Sequence, residues 1–402
     1  MNQIPVAVVG AGQAGLSCSY WLARRGIDHV LLERGSTADS WRSRWDSFCL
    51  VTPNWTLNLP GFPYDGNDPD GFIPRDEIVN YVERYRAFLG APVLDATEVT
   101  RLSREVDGWR IMTDADTWTA AAVIVATGTF PFPSTPPQAA SLHRDIHQLH
   151  SADYRRPVDL PPGGVLVVGS GQSGAQIVDD LVIAGRDVWF SIGRSGWAPR
   201  RFRGKDTTYW MKQAGFMKMP IADPAMRDRP SLTVSGRDGG KDLNLRAFGR
   251  QGVQLVGRVI EADGALIRLS DDVATTLDAA DAVADELLGF LNQYIEDNEI
   301  EAPPADTEVI DWAPRSTPTE LDLDSPGIRS VVWATGYHYD FSWIEADIFD
   351  NRGYPNQERG VTPAAGLYFI GLHGMYTAGS GLFSGVGADA EHIVDHLAAA
   401  DA

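Results

Sequence analysis

The stretch Val6-Ala-Val-Val-Gly10-Ala-Gly12-Gln-Ala-Gly15 decides the fold. Its four apolar residues predict a strand that is buried on both faces. Gly10 allows a tight turn, Gly12 allows a pyrophosphate to approach the backbone, and Gly15 allows the next helix to pack against the sheet. A helix and a second strand, which ends at Glu33, follow. An acid at this strand tip is placed to bind a ribose diol, while the amides at the helix N-terminus face the phosphates.

The same pattern returns as Val165-Leu-Val-Val-Gly169-Ser-Gly171-Gln-Ser-Gly174. The second predicted strand of this repeat has no acid at its tip, because Ser191 stands near that place and Arg194 follows. A site that lacks the ribose carboxylate but has a nearby arginine favours a 2′-phosphate, and therefore NADPH over NADH. We interpret the two motifs as an FAD site and an NADPH site that hold the two rings face to face for hydride transfer.

The predicted fold class is α/β, with two Rossmann-like dinucleotide-binding domains and the NADPH domain inserted in the FAD domain. A Pro- and Gly-rich linker before the second motif places the boundaries. The FAD domain is assigned to residues 1–155 and 325–402, and the NADPH domain to residues 156–324, with insertions at 206–250 and 270–310. The insertion at 206–250 is rich in large apolar side chains, which fits a lid over a substrate or a contact in a homodimer equally well.

Composition excludes several function classes. A net charge of −20 over 402 residues argues against binding to nucleic acid or to an anionic membrane surface. The first strand begins near residue 4 and no apolar run reaches membrane-spanning length, so a cytoplasmic location is expected. The two cysteines, Cys18 and Cys49, form no CxxC pair, which argues against a flavin disulfide reductase. Because His143, His147 and His150 lack a carboxylate or cysteine at ligand spacing, no metal site is predicted.

Other short motifs are expected to contact the nucleotides. An arginine- and tryptophan-containing loop after Glu33 is placed to fold over a dinucleotide. Two Ala-Thr-Gly turns, each after an apolar strand, and a glycine-rich helix start near the C-terminus allow close backbone approach. The residues singled out in these motifs are Arg34, Trp41, Arg42, Thr127, Gly128, Thr335, Gly336 and Ser384.

Taken together, these motifs give the chain a resemblance to single-component (class B) flavin-dependent monooxygenases, the group that includes the flavin-containing monooxygenases. The chain is most similar to the bacterial oxidoreductases labelled CzcO-like. The resemblance covers essentially the whole chain. The motifs that carry it are GAGQAG at 10–15, Glu33-Arg34, Ser40-Trp41-Arg42, the ATG turns at 126–128 and 334–336, HSADY at 150–154, GSGQSG at 169–174 and the C-terminal SGLFSGVGADAEHI.

The resemblance implies a role for each matched position. Gly10, Gly12, Gly15 and Glu33 would hold the pyrophosphate and ribose of FAD. Trp41 and Arg42 would pack along FAD, and the backbone of Val99 would meet the adenine. Asn54 would be the catalytic residue, an amide beside the reactive edge of the flavin, although turn formation after Pro53 explains it equally well. The residues that would bind NADPH are Gly169, Gly171, Gln172, Ser173, Gly174 and Arg194.

The reaction that the resemblance implies is oxygenation of a small organic substrate. NADPH would reduce FAD, and a C4a-(hydro)peroxyflavin formed with O2 would transfer one oxygen atom. The family's FxGxxxH linker signature is incomplete, because Arg144 and Ile146 replace Phe and Gly and only His150 is kept. This favours oxygenation at nitrogen or sulfur over Baeyer–Villiger oxygenation. The alternatives are an NADPH-dependent flavin oxidase or electron-transfer protein, and a nucleotide-binding sensor without catalysis.

Overall fold

The first sheet is a mainly parallel layer that carries the N-terminal motif. The computed structural model describes residues 2–128, 132–221, 232–305 and 307–400. Strand Asn2–Val9 lies between two parallel neighbours, and an antiparallel meander extends one side of the sheet. In order across the sheet, the strands are Ile344–Glu345, Val99–Glu105, Gly108–Thr113, Thr117–Val125, Asn2–Val9, His29–Leu32 and Val93–Leu94, with Leu367–Phe369 also paired to Thr117–Val125.

The second sheet is parallel and is built around the second motif. Its central strand, Gly164–Val168, is buried along its whole length, as expected for a strand covered on both faces. One face of this strand packs against helix Gln172–Ile183, and the other packs against the antiparallel strands Leu266–Leu269 and Glu320–Asp322. The strands in order are His147–His150, Ile328–Trp333, Gly164–Val168, Val188–Ser191 and Gln254–Val256.

The two Rossmann-like units and the insertion of the second into the first confirm the predicted fold class. The predicted boundaries at residues 155 and 325 need correction. Strands His147–His150 and Ile328–Trp333 were assigned to the first domain, yet both pair within the second sheet. By strand pairing, the second unit extends from about residue 147 to about residue 333. The Pro-rich linker that suggested a boundary is a surface loop within this unit.

The helices pack against these sheets through apolar faces. Helix Arg75–Leu89 buries Ile78, Val82 and Tyr85 and ends at Gly90, which adopts a left-handed φ of 59°. The first and last helices pack against each other, so the C-terminus closes the first unit. In chain order the helices of the described residues are α1 (Gln13–Arg24), α2 (Asp39–Arg42), α3 (Arg75–Leu89), α4 (Gln172–Ile183), α5 (Thr207–Gln213), α6 (Leu245–Arg250), α7 (Val273–Asp297) and α8 (Val386–Ala400).

The predicted 206–250 insertion contains short elements, whereas the 270–310 insertion is largely the 25-residue helix α7. Residues 222–231 of the 206–250 insertion and residue 306 of the 270–310 insertion lie outside the described residues. The remaining strands form small sheets around the second unit, at the junction of the units and, beside α3, in the first unit. These sheets are Gly196–Trp197 with Leu232–Ser235 and Lys241–Asp242; Arg201–Phe202 with Lys205–Asp206; Val259–Asp263 with Leu266–Leu269 and Glu320–Asp322; Phe132–Pro133 with Tyr337–His338; and Asn58–Leu59 with Phe62–Pro63.

Candidate functional site

The first glycine motif forms a tight backbone turn that leaves no room for side chains at two positions. Gly10 has a φ of 104°, and a Cβ there would lie 2.6 Å from the carbonyl oxygen of Ala126. A Cβ on Gly15 would lie 2.0 Å from the carbonyl oxygen of Gly10. Both positions therefore require glycine, because the obstructing atoms belong to the backbone.

The second motif repeats this geometry. Gly169 has a φ of 107°, and its Cβ would lie 2.4 Å from the carbonyl oxygen of Ala334. A Cβ on Gly174 would lie 1.8 Å from the carbonyl oxygen of Gly169. In each unit, the alanine carbonyl of an Ala-Thr-Gly turn thus lies against the first glycine of the motif and closes the glycine turn from the neighbouring strand. The final glycines of these turns, Gly128 and Gly336, have φ values of 81° and 85°.

The middle glycine of each motif faces open space. A Cβ on Gly12 or Gly171 would meet no atom within 4 Å. Both residues are N-caps in extended conformation, no side chain caps either helix, and neither first turn contains an acid. Uncapped amides at the start of a 12-residue helix attract an anion. Both motifs therefore fit the pyrophosphate of a dinucleotide.

The two second strands end differently. The carboxylate of Glu33 accepts hydrogen bonds from the backbone amides of Ala11 (2.7 Å) and Gly35 (3.0 Å), which leaves further lone pairs for a ribose diol. Because Gly10 donates to Leu32 as Gly169 donates to Ser191, the equivalent of Glu33 in the second unit is Ile192.

Ser191 therefore lies near the acid's place, as expected, one residue before it. Ser191 is buried and its hydroxyl donates to the carbonyl of Gly257 at 2.9 Å, so it belongs to the sheet. Ile192 is fully buried as well. In this unit the hydroxyl of Ser170 holds the loop after the strand, because it accepts from the amide of Gly193 at 3.0 Å. Arg194 is exposed in that same loop.

The glutamine of each motif holds a neighbouring segment. Gln13 donates to the carbonyl of Gly381 at 2.8 Å and accepts from the indole of Trp41 at 3.2 Å. Trp41 in turn stacks on Phe383, with ring centroids 5.3 Å apart. Gln172 bonds in both directions to the backbone of Val234. Its amide is thus used for positioning a strand of the 206–250 insertion.

The other predicted contact residues lie around the two motifs with varied partners. Arg34 is exposed, 4.0 Å from Glu98, and Arg42 is ion-paired with Glu83 at 2.6 Å. Val99 is half-buried and is the first residue of strand Val99–Glu105. Two residues earlier, the amide of Thr97 donates to the carbonyl of Glu33. The Thr335 hydroxyl donates to the carbonyl of Ser134. Half-buried in the described structure are Thr127, Gly128 and Ser173, whereas Ser384 is exposed just before α8.

Asn54, the predicted catalytic residue, is buried and its amide joins two segments. Its Nδ2 donates to the carbonyl of Asp68 at 2.8 Å, and its Oδ1 accepts from the amide of Ile73 at 2.7 Å. The backbone amide of Asn54 donates to Gly71. We call residues 50–55 the Asn54 segment and residues 68–73 the facing loop. The side chain therefore has a structural task, whatever its role in the reaction.

The described part of the 206–250 insertion lies across the first unit. The amide of Ile221 donates to the carbonyl of Tyr376 at 2.7 Å, and a Cβ on Gly379 would lie 2.9 Å from the carbonyl oxygen of Met217. The ammonium of Lys212, in α5, lies 4.3 Å from the ring centroid of Trp55. The described part of the insertion thus contacts both the Asn54 segment and the glycine-rich loop before α8.

A buried network that the sequence does not predict joins the two units. The Tyr154 hydroxyl donates to Asp180 of α4 at 2.8 Å, and the guanidinium of Arg237 pairs with the same carboxylate at 2.7 Å. Tyr154 also packs edge-on against Trp45 of the first unit. The HSADY motif was a signal for Tyr154. Nothing in the spacing of the sequence identified its partners.

The cysteines, the candidate metal ligands and the helices exclude further kinds of site in the described residues. Cys18 and Cys49 are free thiols, and burial raises the pKa of Cys18. Within residues 2–128, 132–221, 232–305 and 307–400, no three or more His, Cys, Asp or Glu side chains group as metal ligands would. Among the helices of these same ranges, none has the length and apolarity needed to cross a membrane.

Comparison with known proteins agrees with this geometry. Residues 7–215 match the family described as pyridine nucleotide-disulphide oxidoreductase. The chain is 32% identical over 397 residues to an uncharacterized CzcO-like oxidoreductase of Geobacillus kaustophilus, covering 98% of each chain. It is 34% identical over 389 residues to the indole-3-pyruvate monooxygenase YUCCA1 of Oryza sativa subsp. japonica, covering 92% of this chain and 87% of that protein.

Among solved structures, a flavin-containing monooxygenase from Stenotrophomonas maltophilia shares the fold. Its TM-score is 0.69 at 21% identity, with 100% of both chains covered. The expected resemblance is confirmed, and the family's nicotinamide and flavin cofactors fit the two glycine cradles. The chain therefore belongs to the pyridine nucleotide-disulphide oxidoreductase family and is an FAD-dependent enzyme of the flavin-containing monooxygenase type, in the CzcO-like group.

Proposed function

We propose that this protein is an NADPH-dependent FAD monooxygenase that inserts one oxygen atom of O2 into a small organic substrate at nitrogen or sulfur. The observation that carries the proposal is that the glycine turn occurs twice and that the strand after each helix ends in a different kind of residue. Glu33 supplies a ribose acceptor in the first unit, whereas Ile192 removes that acceptor in the second. When bound, FAD would accept a hydride from the nicotinamide and react with O2 in its reduced form.

The preference for NADPH is supported by charge at the second strand tip. With Ile192 buried, the loop after the strand presents no ribose-binding carboxylate, and the exposed Arg194 follows within two residues. A guanidinium binds a phosphate through two parallel hydrogen bonds. Arg194 would therefore hold the 2′-phosphate, while the amides at the start of α4 would hold the pyrophosphate.

The preference for a nitrogen or sulfur atom is supported by the linker before the second motif. Ile146 is buried in the core of the second unit, whereas Arg144 is exposed. Arg144 therefore faces solvent at the position of the signature's Phe, and Ile146 packs in the core at the position of its Gly. The indole-3-pyruvate monooxygenase relative adds one further substrate that should be tested.

The proposal is tested by anaerobic mixing of the purified flavoprotein with NADPH and, separately, with NADH. Fast bleaching of the flavin by NADPH alone is expected. Oxygen is then added with an amine, a thioether, a cyclic ketone or indole-3-pyruvate. An N- or S-oxygenated product supports the proposal. If NADPH is consumed and only hydrogen peroxide appears with every substrate, the protein is instead an oxidase or an electron-transfer protein.

A further inference from the structure

We propose that Arg200 is a positioning residue that fastens the Asn54 segment to the second unit. This inference rests on the proposed function, because it takes Asn54 as the group beside the flavin. Arg200 precedes the strand Arg201–Phe202, and only 2% of its surface is exposed. An arginine this buried needs a specific set of partners, since a buried charge is costly unless it is paired and hydrogen-bonded.

The partners of Arg200 come from both units. One terminal nitrogen, Nη1, donates to the carbonyl of Val51 at 2.7 Å, within the Asn54 segment. The other, Nη2, donates to the carboxylate of Asp206 and to the hydroxyl of Thr208 at 3.0 Å. Its guanidinium carbon lies 4.9 Å from the ring centroid of Phe72, in the facing loop. The guanidinium of Arg200 therefore contacts both the Asn54 segment and the facing loop, which are the two segments that the Asn54 side chain joins.

Asp206 keeps this guanidinium in place. It is 4% exposed, and its Oδ1 also accepts from the amide of Thr208, so that it caps the N-terminus of α5. The backbone amide of Arg200 donates to Asp242. Arg200 Nε and Asp206 Oδ2 are buried without a hydrogen-bond partner, which is a costly arrangement. A buried ion pair of this kind is weak evidence for stabilisation of the fold. Its clearer effect is to fix the positions of the groups that it bonds.

Two glycines of the insertion allow the units to approach at this point. A Cβ on Gly236 would lie 2.1 Å from the carbonyl oxygen of Leu50 and 2.7 Å from the Cβ of Phe72. A Cβ on Gly240 would lie 2.7 Å from the Phe72 ring and 2.9 Å from Cδ of Arg200. The insertion is thus shaped to receive the Asn54 segment and the facing loop, with Arg200 as the polar connection between them.

Arg200 contacts the carbonyl of Val51 and the ring of Phe72, which lie in the two segments that the Asn54 side chain joins, so its loss should disturb oxygen transfer more than flavin reduction. The test compares Arg200→Met and Arg200→Lys with the control Arg246→Met. Arg246 is also largely buried and pairs with Asp278 and Asp281. None of those partners belongs to the first unit. A lysine cannot bond Val51 and Asp206 together, because it lacks the planar fork of arginine.

Two readouts are measured for each variant. Hydrogen exchange of the peptide that covers residues 50–57 is expected to accelerate about tenfold in both Arg200 variants, with α4 unchanged. The ratio of oxygenated product to hydrogen peroxide is expected to fall about tenfold, while the rate of flavin reduction by NADPH changes less than about threefold. The Arg246 variant should leave both readouts at the wild-type level.

The readouts separate this inference from the proposed function. If the wild type oxygenates no substrate, the proposed function fails and hydrogen exchange alone decides the role of Arg200. Unchanged exchange at residues 50–57, or reduction and oxygen transfer that fall in parallel with melting temperature, would overturn the inference. If the Arg200→Met variant does not fold, the Arg200→Lys and Asp206→Asn variants carry the same test.

Discussion

Glu33 and Ile192 occupy the same position in the two Rossmann-like units, directly after the residue whose carbonyl accepts from the first glycine of each motif. Glu33 bonds the amides of Ala11 and Gly35, whereas Ile192 is fully buried in an apolar core. The same fold is thus used twice, and one residue separates a strand tip that accepts hydrogen bonds from one that cannot. The prediction that the first unit binds FAD and the second binds NADPH rests on this difference between Glu33 and Ile192.

Replacement of Glu33 tests the first site. In Glu33→Gln, one carboxylate oxygen becomes an amide donor, so the bond from Ala11 or the one from Gly35 is lost together with a ribose acceptor. We expect FAD binding to weaken roughly tenfold or more, measured by flavin fluorescence during titration of the apoprotein. Glu345→Gln, at an exposed carboxylate that pairs with Arg101 on the opposite edge of the sheet, is the matched control. Equal FAD affinity in the two variants would contradict the assignment.

Replacement of Arg194 tests the choice of NADPH. The Arg194→Ala variant is expected to raise the KM for NADPH roughly tenfold and to leave the KM for NADH nearly unchanged, because only NADPH carries the 2′-phosphate. Flavin reduction followed by stopped flow provides the measurement. Arg268→Ala removes an exposed arginine that pairs with Glu261 in a separate hairpin, and it should behave as wild type. Parallel losses with both nucleotides would place Arg194 outside the site.

The glycines of the first motif should respond in two different ways to alanine. Gly15→Ala is expected to destabilise the fold by about 1–3 kcal/mol or more, because its Cβ would meet the carbonyl oxygen of Gly10 at 2.0 Å. Gly12→Ala should fold with the melting temperature of the wild-type apoprotein but fail to bind FAD, since its Cβ projects into open space where the pyrophosphate would lie. Denaturant unfolding and the absorbance of bound flavin give the comparison. A stable Gly12→Ala variant that retains FAD would refute this view of the cradle.

Substitutions of Asn54 test whether it acts in oxygen transfer in addition to joining the Asn54 segment to the facing loop. Asn54→Ala removes the bonds to Asp68 and Ile73 and should lower the ratio of oxygenated product to peroxide about tenfold, with flavin reduction changed less than about threefold. Asn54→Asp keeps an acceptor for Ile73 but opposes two oxygens at Asp68. Asn58→Ala, an exposed neighbour, is the control. A product ratio that stays at the wild-type value in Asn54→Ala would leave Asn54 a structural residue alone.

His150 should make stability depend on pH. Its ring donates from Nε2 to the carbonyl of Gly336 at 3.0 Å and accepts at Nδ1 from the amide of Ala152 at 3.1 Å, so the neutral ring fits best. Burial lowers its pKa in the folded state. The unfolded chain therefore binds this proton first as pH falls, and the stabilisation present above about pH 6.5 is lost progressively below it.

The expected result is a smaller change in the free energy of unfolding between pH 7.5 and 5 in His150→Gln than in the wild type. Urea titrations at each pH provide the measurement. His143→Gln, at an exposed ring, serves as control and should keep the wild-type slope. A wild-type slope in His150→Gln would show that other groups set the acid side of the stability profile.

The sequence predicted the parts of the fold that depend on local spacing. Both glycine turns, both following helices and the closing Ala-Thr-Gly turns stand where the motifs placed them, because each is defined within a few residues. The domain boundaries failed because strand Ile328–Trp333 joins a sheet begun more than a hundred residues earlier. Pairing over such a distance leaves no local signal.

The site was predicted less completely, for a similar reason. Ser191 lies near the acid's place, as expected, but the sequence did not show that Ile192 occupies that place itself; because side chains alternate along a strand, these two residues face opposite sides of the sheet. The partners of Asn54 and Arg200 lie on loops whose packing depends on Gly236 and Gly240. Neither glycine belongs to a recognisable motif, so their closeness to Leu50 and Phe72 emerges only when the two units are assembled.

The closure of each glycine turn by a distant strand has a consequence for synthesis on the ribosome. The turn at Gly10 meets Ala126, which emerges long before the second unit is complete. The turn at Gly169 meets Ala334, and Gln13 bonds Gly381 near the end of the chain. A nascent chain that stalls before residue 334 would carry one closed turn and one open turn, so the second nucleotide-binding turn can be completed only when translation is nearly over.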